Sequence, residues 1–194
     1  MEIGFQMKKC SGVSLIELMI TLSIAAILLA LGAPSFMAML NTNRLEARAG
    51  DFISSLNVAR SEAVLRNTRT SMCKSSDGAS CTGDWEEGWI VFVDDGENAG
   101  VVDGDEEVIL VYGGFDHASY TLRGNSNVTN RVSFSAQGYS LGFNGQLVLC
   151  FDEDQSGEGD FDDENGRVII ISSSGRIRKV DPSDGDVSLT DCTP

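Results

Sequence analysis

The sequence predicts an α+β protein in which one long N-terminal helix is followed by a mostly antiparallel β domain. Residues 18–40 form a run of 23 residues without a charged side chain. The segment that follows, to about residue 67, repeats its apolar residues at alternating spacings of three and four, which is the period of an amphipathic helix. Beyond residue 67 the pattern changes to short β-type runs separated by Gly, Asn and Asp. Helix first and strands afterwards is the order typical of this class.

Length and charge limit what such a protein can do. The 194 residues suffice for one globular domain plus one extra element. Fourteen Lys and Arg stand against 29 Asp and Glu, which gives a net charge of -15. Affinity for phosphate comes mainly from Lys and Arg, so a general nucleic-acid binder is disfavoured and any such binding must be local.

The apolar run predicts one membrane crossing. Twenty-three helical residues reach roughly 35 Å, which spans a hydrocarbon core of about 30 Å. Lys8 and Lys9 precede the run, so the positive-inside rule keeps that end cytoplasmic and places everything after Leu40 outside. Glu17 is an anomaly in this apolar segment, because a carboxylate costs a few kcal/mol near the middle of a membrane. A specific partner for Glu17 is the favoured interpretation, and a solvated acid at the interface is the alternative.

The residues around Glu17 form a longer motif, KKCSGVSLIELMITL from Lys8 to Leu22. It resembles the prepilin leader of type IV pilins and type II secretion pseudopilins. The resemblance implies that prepilin peptidase removes residues 1–12 by cutting between Gly12 and Val13, and that Val13 is then N-methylated. It also implies that Glu17 neutralises the N-terminal amine of a neighbouring subunit, since a buried amine and carboxylate are each costly alone and tolerable as a pair. Val13 departs from the Phe that is usual after the cut.

An ordinary secretory signal is the competing interpretation of this end. Ala30-Leu31-Gly32 would then serve as a small-x-small cleavage site and the mature chain would begin at Ala33. An ordinary apolar signal region carries no acid and does not continue to Leu40, so the prepilin interpretation is favoured.

The helix is expected to run from Ser14 to about Arg66, with a membrane and polymerisation part at 13–40 and an amphipathic part at 41–67. Pro34 lacks an amide donor, so a kink or a segment that melts easily is expected there. The predicted buried face of the second part comprises Leu45, Ala49, Phe52, Leu56, Ala59 and Ala63.

Eight strands are predicted in residues 68–194, the extracytoplasmic β domain. They are Thr70–Cys73, Trp89–Val93, Val108–Tyr112, Tyr120–Leu122, Val132–Ser135, Leu147–Phe151, Val168–Ser172 and Ile177–Val180. The helix is expected to bury Phe52, Leu56 and Ala63 against Trp89, Val91, Val168 and Ile170.

Four motifs of this region look like those of the GspH/FimT type of minor pilin or pseudopilin. They are RSEAVLRN from Arg60, CxSxDGxxC from Cys73, WxxGWIVFxD from Trp85 and SGR from Ser174. The resemblance implies a low-abundance subunit that helps to prime assembly at the fibre tip, with other pilin or pseudopilin subunits, prepilin peptidase and inner-membrane lipid as partners. It implies a single-pass inner-membrane protein with its domain in the periplasm, later part of the pilus or pseudopilus. The motifs do not distinguish a role in type II secretion from a role in a type IV pilus.

Cysteine usage agrees with an oxidising compartment. Cys73, Cys81, Cys150 and Cys192 form an even set after the apolar run, and no C-x-x-C or Cys/His cluster supports zinc. We pair Cys73 with Cys81 and Cys150 with Cys192. Free buried thiols are the alternative.

Two acidic loops raise the question of calcium, although no cofactor is required. Five residues follow the ligand spacing of a twelve-residue calcium loop, namely Asp152, Asp154, Ser156, Asp160 and Asp163. A second loop from Asp95 to Glu106 fits less well, because Ala99 supplies no side-chain ligand. The alternative for both is a solvated turn.

The basic cluster Arg176, Arg178 and Lys179 is a candidate DNA contact. Its G-R-x-R segment resembles the one used for DNA capture by competence-associated members of the family, and strand alternation would let both arginines contact successive phosphates. The alternative is that these side chains pair with nearby acids. No catalytic constellation is visible and His117 stands alone, so we do not predict an enzyme.

Overall fold

The computed structural model describes residues 12–104, 106–115, 119–152, 161, 165–184 and 192, with the backbone alone described at 33–35. The chain divides into two units, residues 1–40 and residues 41–194. Helix α1, Leu15–Arg66, supplies most of what is described in the first unit and the start of the second. The helix continues through Pro34, so the proline does not end it.

Helix α1 is terminated by the asparagine that follows Arg66. Asn67 has a φ of 52°, a left-handed conformation that Asn tolerates better than most residues. The amide of Thr68 donates to the carbonyl of Ala63 at 3.2 Å and that of Asn67 to Val64 at 3.4 Å. These hydrogen bonds satisfy carbonyls of the last turn that would otherwise have no donor. The helix therefore ends where the sequence predicts.

Eight strands follow among the described residues, and all eight overlap the predicted segments. They are β1 Thr70–Lys74, β2 Gly88–Val93, β3 Val108–Gly113, β4 Tyr120–Gly124, β5 Arg131–Phe134, β6 Gly145–Phe151, β7 Gly166–Ile171 and β8 Ile177–Val180. A short 3-10 helix that the sequence did not predict, Trp85–Glu87, leads into β2.

The strands form two antiparallel sheets of four rather than one. The first has the order β3-β2-β1-β5 and the second the order β4-β6-β7-β8. The fold is therefore α+β, as predicted, and in the described part of the chain one α-helix and two sheets surround a shared core.

The core is built on the predicted face of helix α1. All six residues of that face are at most 1% exposed, namely Leu45, Ala49, Phe52, Leu56, Ala59 and Ala63. The ring of Phe52 meets Trp85 and Trp89 edge to face, with centroids 5.3 and 5.1 Å away. Trp89 in turn stacks on Tyr112 at 4.0 Å. Aromatic pairs in such geometries contribute about 0.5–1.5 kcal/mol beyond the area that they bury.

One prediction about the core is wrong. Val168 and Ile170 do not face the helix but lie in a separate cluster with Cys150 and Cys192. Ile169 and Ile171 take the helix-facing positions instead. Successive side chains of a strand point to opposite faces, and an apolar run such as β7 is compatible with either register.

Candidate functional site

The N-terminal end of helix α1 brings together the residues predicted to be processed. Gly12, Val13 and Ser14 precede the helix and are exposed. Glu17 lies in the first helical turn and is also exposed. A carboxylate there is favoured by the partial positive charge of the helix N-terminus. Gly12 and Val13 are thus accessible and lie outside the helix, and Glu17 follows Val13 by about one helical turn.

The first part of the helix presents apolar side chains all round. Leu15 is 75% exposed and Leu31 72%, and none of the most apolar stretch of the helix is buried. By length and composition this helix could cross a membrane. The hydroxyls of Thr21 and Ser23 donate to backbone carbonyls within the helix, at 2.9 and 2.8 Å. This segment therefore suits a lipid bilayer or a helix bundle.

Two disulfides join the pairs that we proposed from the sequence. Cys73 is bonded to Cys81 and Cys150 to Cys192, in each case with an S–S distance of 1.99 Å. The first closes a tight turn inside which Asp77 accepts hydrogen bonds from the amides of residues 79 and 80, at 2.9 and 2.8 Å. The hydroxyl of Ser80 donates to the same carboxylate and, with these amides, holds the pKa of Asp77 well below its usual range. The second disulfide fixes residue 192 beside strand β6.

Asp94, the last residue of the tryptophan motif, joins three parts of the domain. It is 1% exposed, and its carboxylate accepts hydrogen bonds from Arg69 at 2.7 Å, from the Ser71 hydroxyl and from the Gly100 amide at 2.8 Å. The bond to Asp94 raises the pKa of Arg69. A buried carboxylate with this many donors fixes the start of the acidic loop onto the first sheet. Sequence reasoning noted Asp94 only as part of a motif.

Arg60 and Gly175 belong to two other motifs, and the structure brings them together. The Arg60 guanidinium donates to the carbonyls of Gly138 at 3.0 Å and Ser174 at 3.4 Å. Gly175 has a φ of 75°, and a Cβ there would lie less than 3.0 Å from the Gly138 carbonyl oxygen. Helix α1, the β5–β6 connection and the β7–β8 turn therefore meet at a point with no room for a side chain.

The basic cluster is divided by strand β8. Lys179 lies opposite the core residue Ile169, and its ammonium binds Glu46 of helix α1. Arg178 lies opposite Ile170 on the other face and is half-buried. Arg176 is exposed and precedes the strand. The structure thus separates Lys179 from the two arginines, and DNA contact by the cluster stays a prediction.

Glu46 is part of an ion-pair network that sequence reasoning missed. Arg167, which is 4% exposed, donates to Glu46 at 2.6 Å and lies 3.7 Å from the carboxylate of Asp181. Desolvation raises the pKa of Glu46, but hydrogen bonds from Lys179 and Arg167 outweigh it and hold that pKa below its ordinary value. Glu46 and Arg167 are 121 residues apart, so no local pattern indicates that they meet.

The calcium hypothesis is only partly covered by the described residues. Asp152 is buried, at 6% exposure, while Asp154, Ser156, Asp160 and Asp163 lie outside them. In the second loop the carboxylates are engaged internally: Asp103 accepts from the Asn98 amide at 2.9 Å, and Glu106 from the amides of residues 96 and 103. Among the residues that the structure describes, no three His, Cys, Asp or Glu are grouped as a metal site requires. Calcium binding stays a prediction.

Two family models match the chain. The model described as Type II transport protein GspH matches residues 48–175, and the one described as Prokaryotic N-terminal methylation motif matches residues 7–33. No curated protein matches the chain.

Two crystal structures of a type IV minor pilin show the same fold. A crystal structure of the type IV minor pilin FimU of Pseudomonas aeruginosa (strain PAO1), in space group P21, is 24% identical with a TM-score of 0.56, over 78% of this chain and 96% of that one. A second crystal form, P65, gives 24% identity and a TM-score of 0.50 over 80% and 99%. The minor pseudopilin EpsH of the Type 2 Secretion System of Vibrio cholerae is 10% identical with a TM-score of 0.46, over 72% and 98%.

Proposed function

The chain belongs to the GspH family of type II transport proteins, and from that premise we propose that it is a minor pilin or pseudopilin, processed by prepilin peptidase and polymerised through its N-terminal helix. The observation that carries the proposal is the exposed apolar helix with a single carboxylate, Glu17, in its first turn. Before assembly this helix anchors the protein in the inner membrane, with residues 41–194 in the periplasm. After assembly it packs against the helices of other subunits.

Processing is proposed to occur between Gly12 and Val13. Both residues are exposed and precede the helix, so they are accessible to a protease. We expect mass spectrometry of the membrane-extracted protein to find a methylated N-terminus at Val13. An N-terminus at Ala33, or an uncleaved chain in cells with an active prepilin peptidase, would refute this step.

Glu17 is proposed to pair with the amine that cleavage exposes on a neighbouring subunit. In an apolar bundle, removing one partner of a buried ion pair costs about 3–5 kcal/mol. Glu17→Gln keeps the shape and loses the charge, so we expect normal processing and at least about hundredfold less incorporation into sheared fibres.

Two variants control this experiment. Glu17→Asp retains the carboxylate and should recover part of the incorporation. Glu62→Gln changes a glutamate of the same helix that pairs with Arg66 within the subunit, so incorporation should not change. Incorporation of Glu17→Gln equal to that of the parent would remove the electrostatic basis of the proposal.

A place at or near the fibre tip, in priming assembly, is the finer part of this proposal and rests on the family resemblance. Labelling of residue 194 and electron microscopy of fibres should show label at one end only. Label along the whole fibre would identify a main subunit instead.

DNA capture is a second candidate, favoured by one observation. Arg176 is exposed, and its guanidinium has no partner among the described residues. Arg176→Gln with Arg178→Gln should abolish a DNA mobility shift at low salt, while Arg44→Gln, which removes another exposed arginine, should not. An unchanged shift in the double variant would exclude these arginines as the site.

A further inference from the structure

A polar cleft outside every motif discussed so far lies between the β4–β5 and β5–β6 connections. Its volume is about 220 Å³, and it is lined by Ser126, Asn127, Thr129, Asn130, Arg131 and Phe143. Among the residues that the structure describes, no carboxylate lines it. That absence is unexpected in a protein with 29 acidic residues.

Arg131 is held in this cleft, and no described acidic residue pairs with it. Its guanidinium lies over the ring of Phe143, 5.5 Å from the centroid. Its stem packs on Gly100, where an added Cβ would come within 3.0 Å of it. Gly100 is itself fixed by the bond from its amide to Asp94. Within the part of the chain that the structure describes, the guanidinium makes no ion pair, so its donors are positioned and unoccupied.

Two further side chains that line the cleft are each held in place by one hydrogen bond that they donate. The oxygen atom of each can still accept a hydrogen bond. The Asn127 side-chain amide donates to the Asn144 carbonyl at 2.8 Å, which leaves its oxygen as an acceptor. The Thr129 hydroxyl donates to the Asn125 carbonyl at 2.9 Å and keeps its lone pairs. The cleft therefore combines a fixed cation with neutral groups that accept hydrogen bonds from hydroxyls.

We propose that this cleft binds a carboxylate-bearing sugar, with Arg131 as the carboxylate contact. A guanidinium matches a carboxylate with two parallel hydrogen bonds. The amide and hydroxyl groups match sugar hydroxyls, and the volume suits one monosaccharide unit. The net charge of the protein opposes anions, but exposed charges more than about 8 Å apart are largely screened at physiological ionic strength. The carboxylate of Asp94, which binds the Gly100 amide, is already paired with Arg69, so Arg131 is the charge that an anion in the cleft would meet.

The test is a titration of the full-length chain in detergent with glucuronate, glucose, acetate and inorganic phosphate, followed by calorimetry and saturation-transfer NMR. Glucuronate should bind saturably, and at least about tenfold more tightly than each of the other three, because only it offers both the charge and the hydroxyls. No saturable binding of glucuronate, or equal binding of glucose, overturns the proposal. Acetate or phosphate binding as tightly as glucuronate overturns the sugar assignment.

Variants locate the site. Arg131→Gln should weaken glucuronate binding at least about tenfold. Arg131→Lys should weaken it less, because lysine keeps the positive charge but cannot form the two parallel hydrogen bonds of a guanidinium. Arg44→Gln, which removes an exposed arginine elsewhere, should bind like the parent. Ser126→Glu adds a negative charge at an exposed lining position and should abolish binding while the melting temperature stays unchanged. Binding that survives both Arg131→Gln and Ser126→Glu refutes the site.

Discussion

Replacing Gly175 by alanine should destabilise the domain far more than a surface substitution. The left-handed φ of 75° costs an alanine about 1–2 kcal/mol. The added Cβ would also sit within 3.0 Å of the Gly138 carbonyl oxygen and of Arg60 Nε. Overpacking of this kind costs about 1–3 kcal/mol, because backbone must shift to make room. We expect a total loss of about 2–5 kcal/mol.

Urea and thermal unfolding of residues 41–194 measure this effect, since every buried apolar side chain among the described residues lies in that unit. At about 2–4 °C per kcal/mol for a domain of this size, the melting temperature should fall by roughly 4–20 °C.

Substitutions at two other glycines distinguish the conformational cost from the steric cost. Gly142 has a φ of 82° but open space around it, so Gly142→Ala should show the conformational cost alone, about 1–2 kcal/mol. Gly50 lies inside helix α1 with open space and no positive φ, so Gly50→Ala should stabilise by about 0.5–1 kcal/mol. If Gly175→Ala lost no more stability than Gly142→Ala, the steric conflict with Gly138 would be refuted.

The ion-pair network and the disulfides give the remaining predictions. The pKa of Glu46 is lower in the folded state than its ordinary value of 4.5, so its stabilisation is full above that pH and is lost as the pH falls through the lower, folded value. Glu46→Gln should therefore unfold at lower urea than the parent at pH 7, with the difference shrinking as the pH falls below 4.5; a constant difference would contradict the network. Replacing Cys150 and Cys192 by serine should cost about 4 kcal/mol, and replacing Cys73 and Cys81 about 2.5, since the longer loop loses more entropy when closed. Urea unfolding of the two double variants checks the order, and a larger loss for the shorter loop would contradict this entropic account.

The helix could be predicted from the sequence because its two halves differ in local pattern. The all-apolar first half and the one-sided second half need no knowledge of distant residues, and the face from Leu45 to Ala63 is buried as its period requires. The strands could be located for the same reason, since turn residues separate each run. The division into two sheets could not, because pairing joins segments far apart in the chain.

The residues of the proposed sites and of the domain contacts divide in the same way. Glu17 stands out in the sequence because a charge in an apolar run is costly wherever the chain folds. The role of Arg131 depends on Gly100 and Phe143, and that of Arg60 on Gly138 and Gly175, none of which is a near neighbour in sequence. These positions carry no local signal of what they do.

The sequence by itself determined the apolar and the amphipathic parts of the helix and the positions of eight strands, since each follows from the spacing of neighbouring residues. Only the tertiary structure decided that Ile169 rather than Val168 faces the helix, and that Lys179 is neutralised by Glu46 while Arg176 stays exposed. The physical reason is that a strand apolar on both faces fits two registers equally well, and that an ion pair forms between whichever charges folding brings within reach.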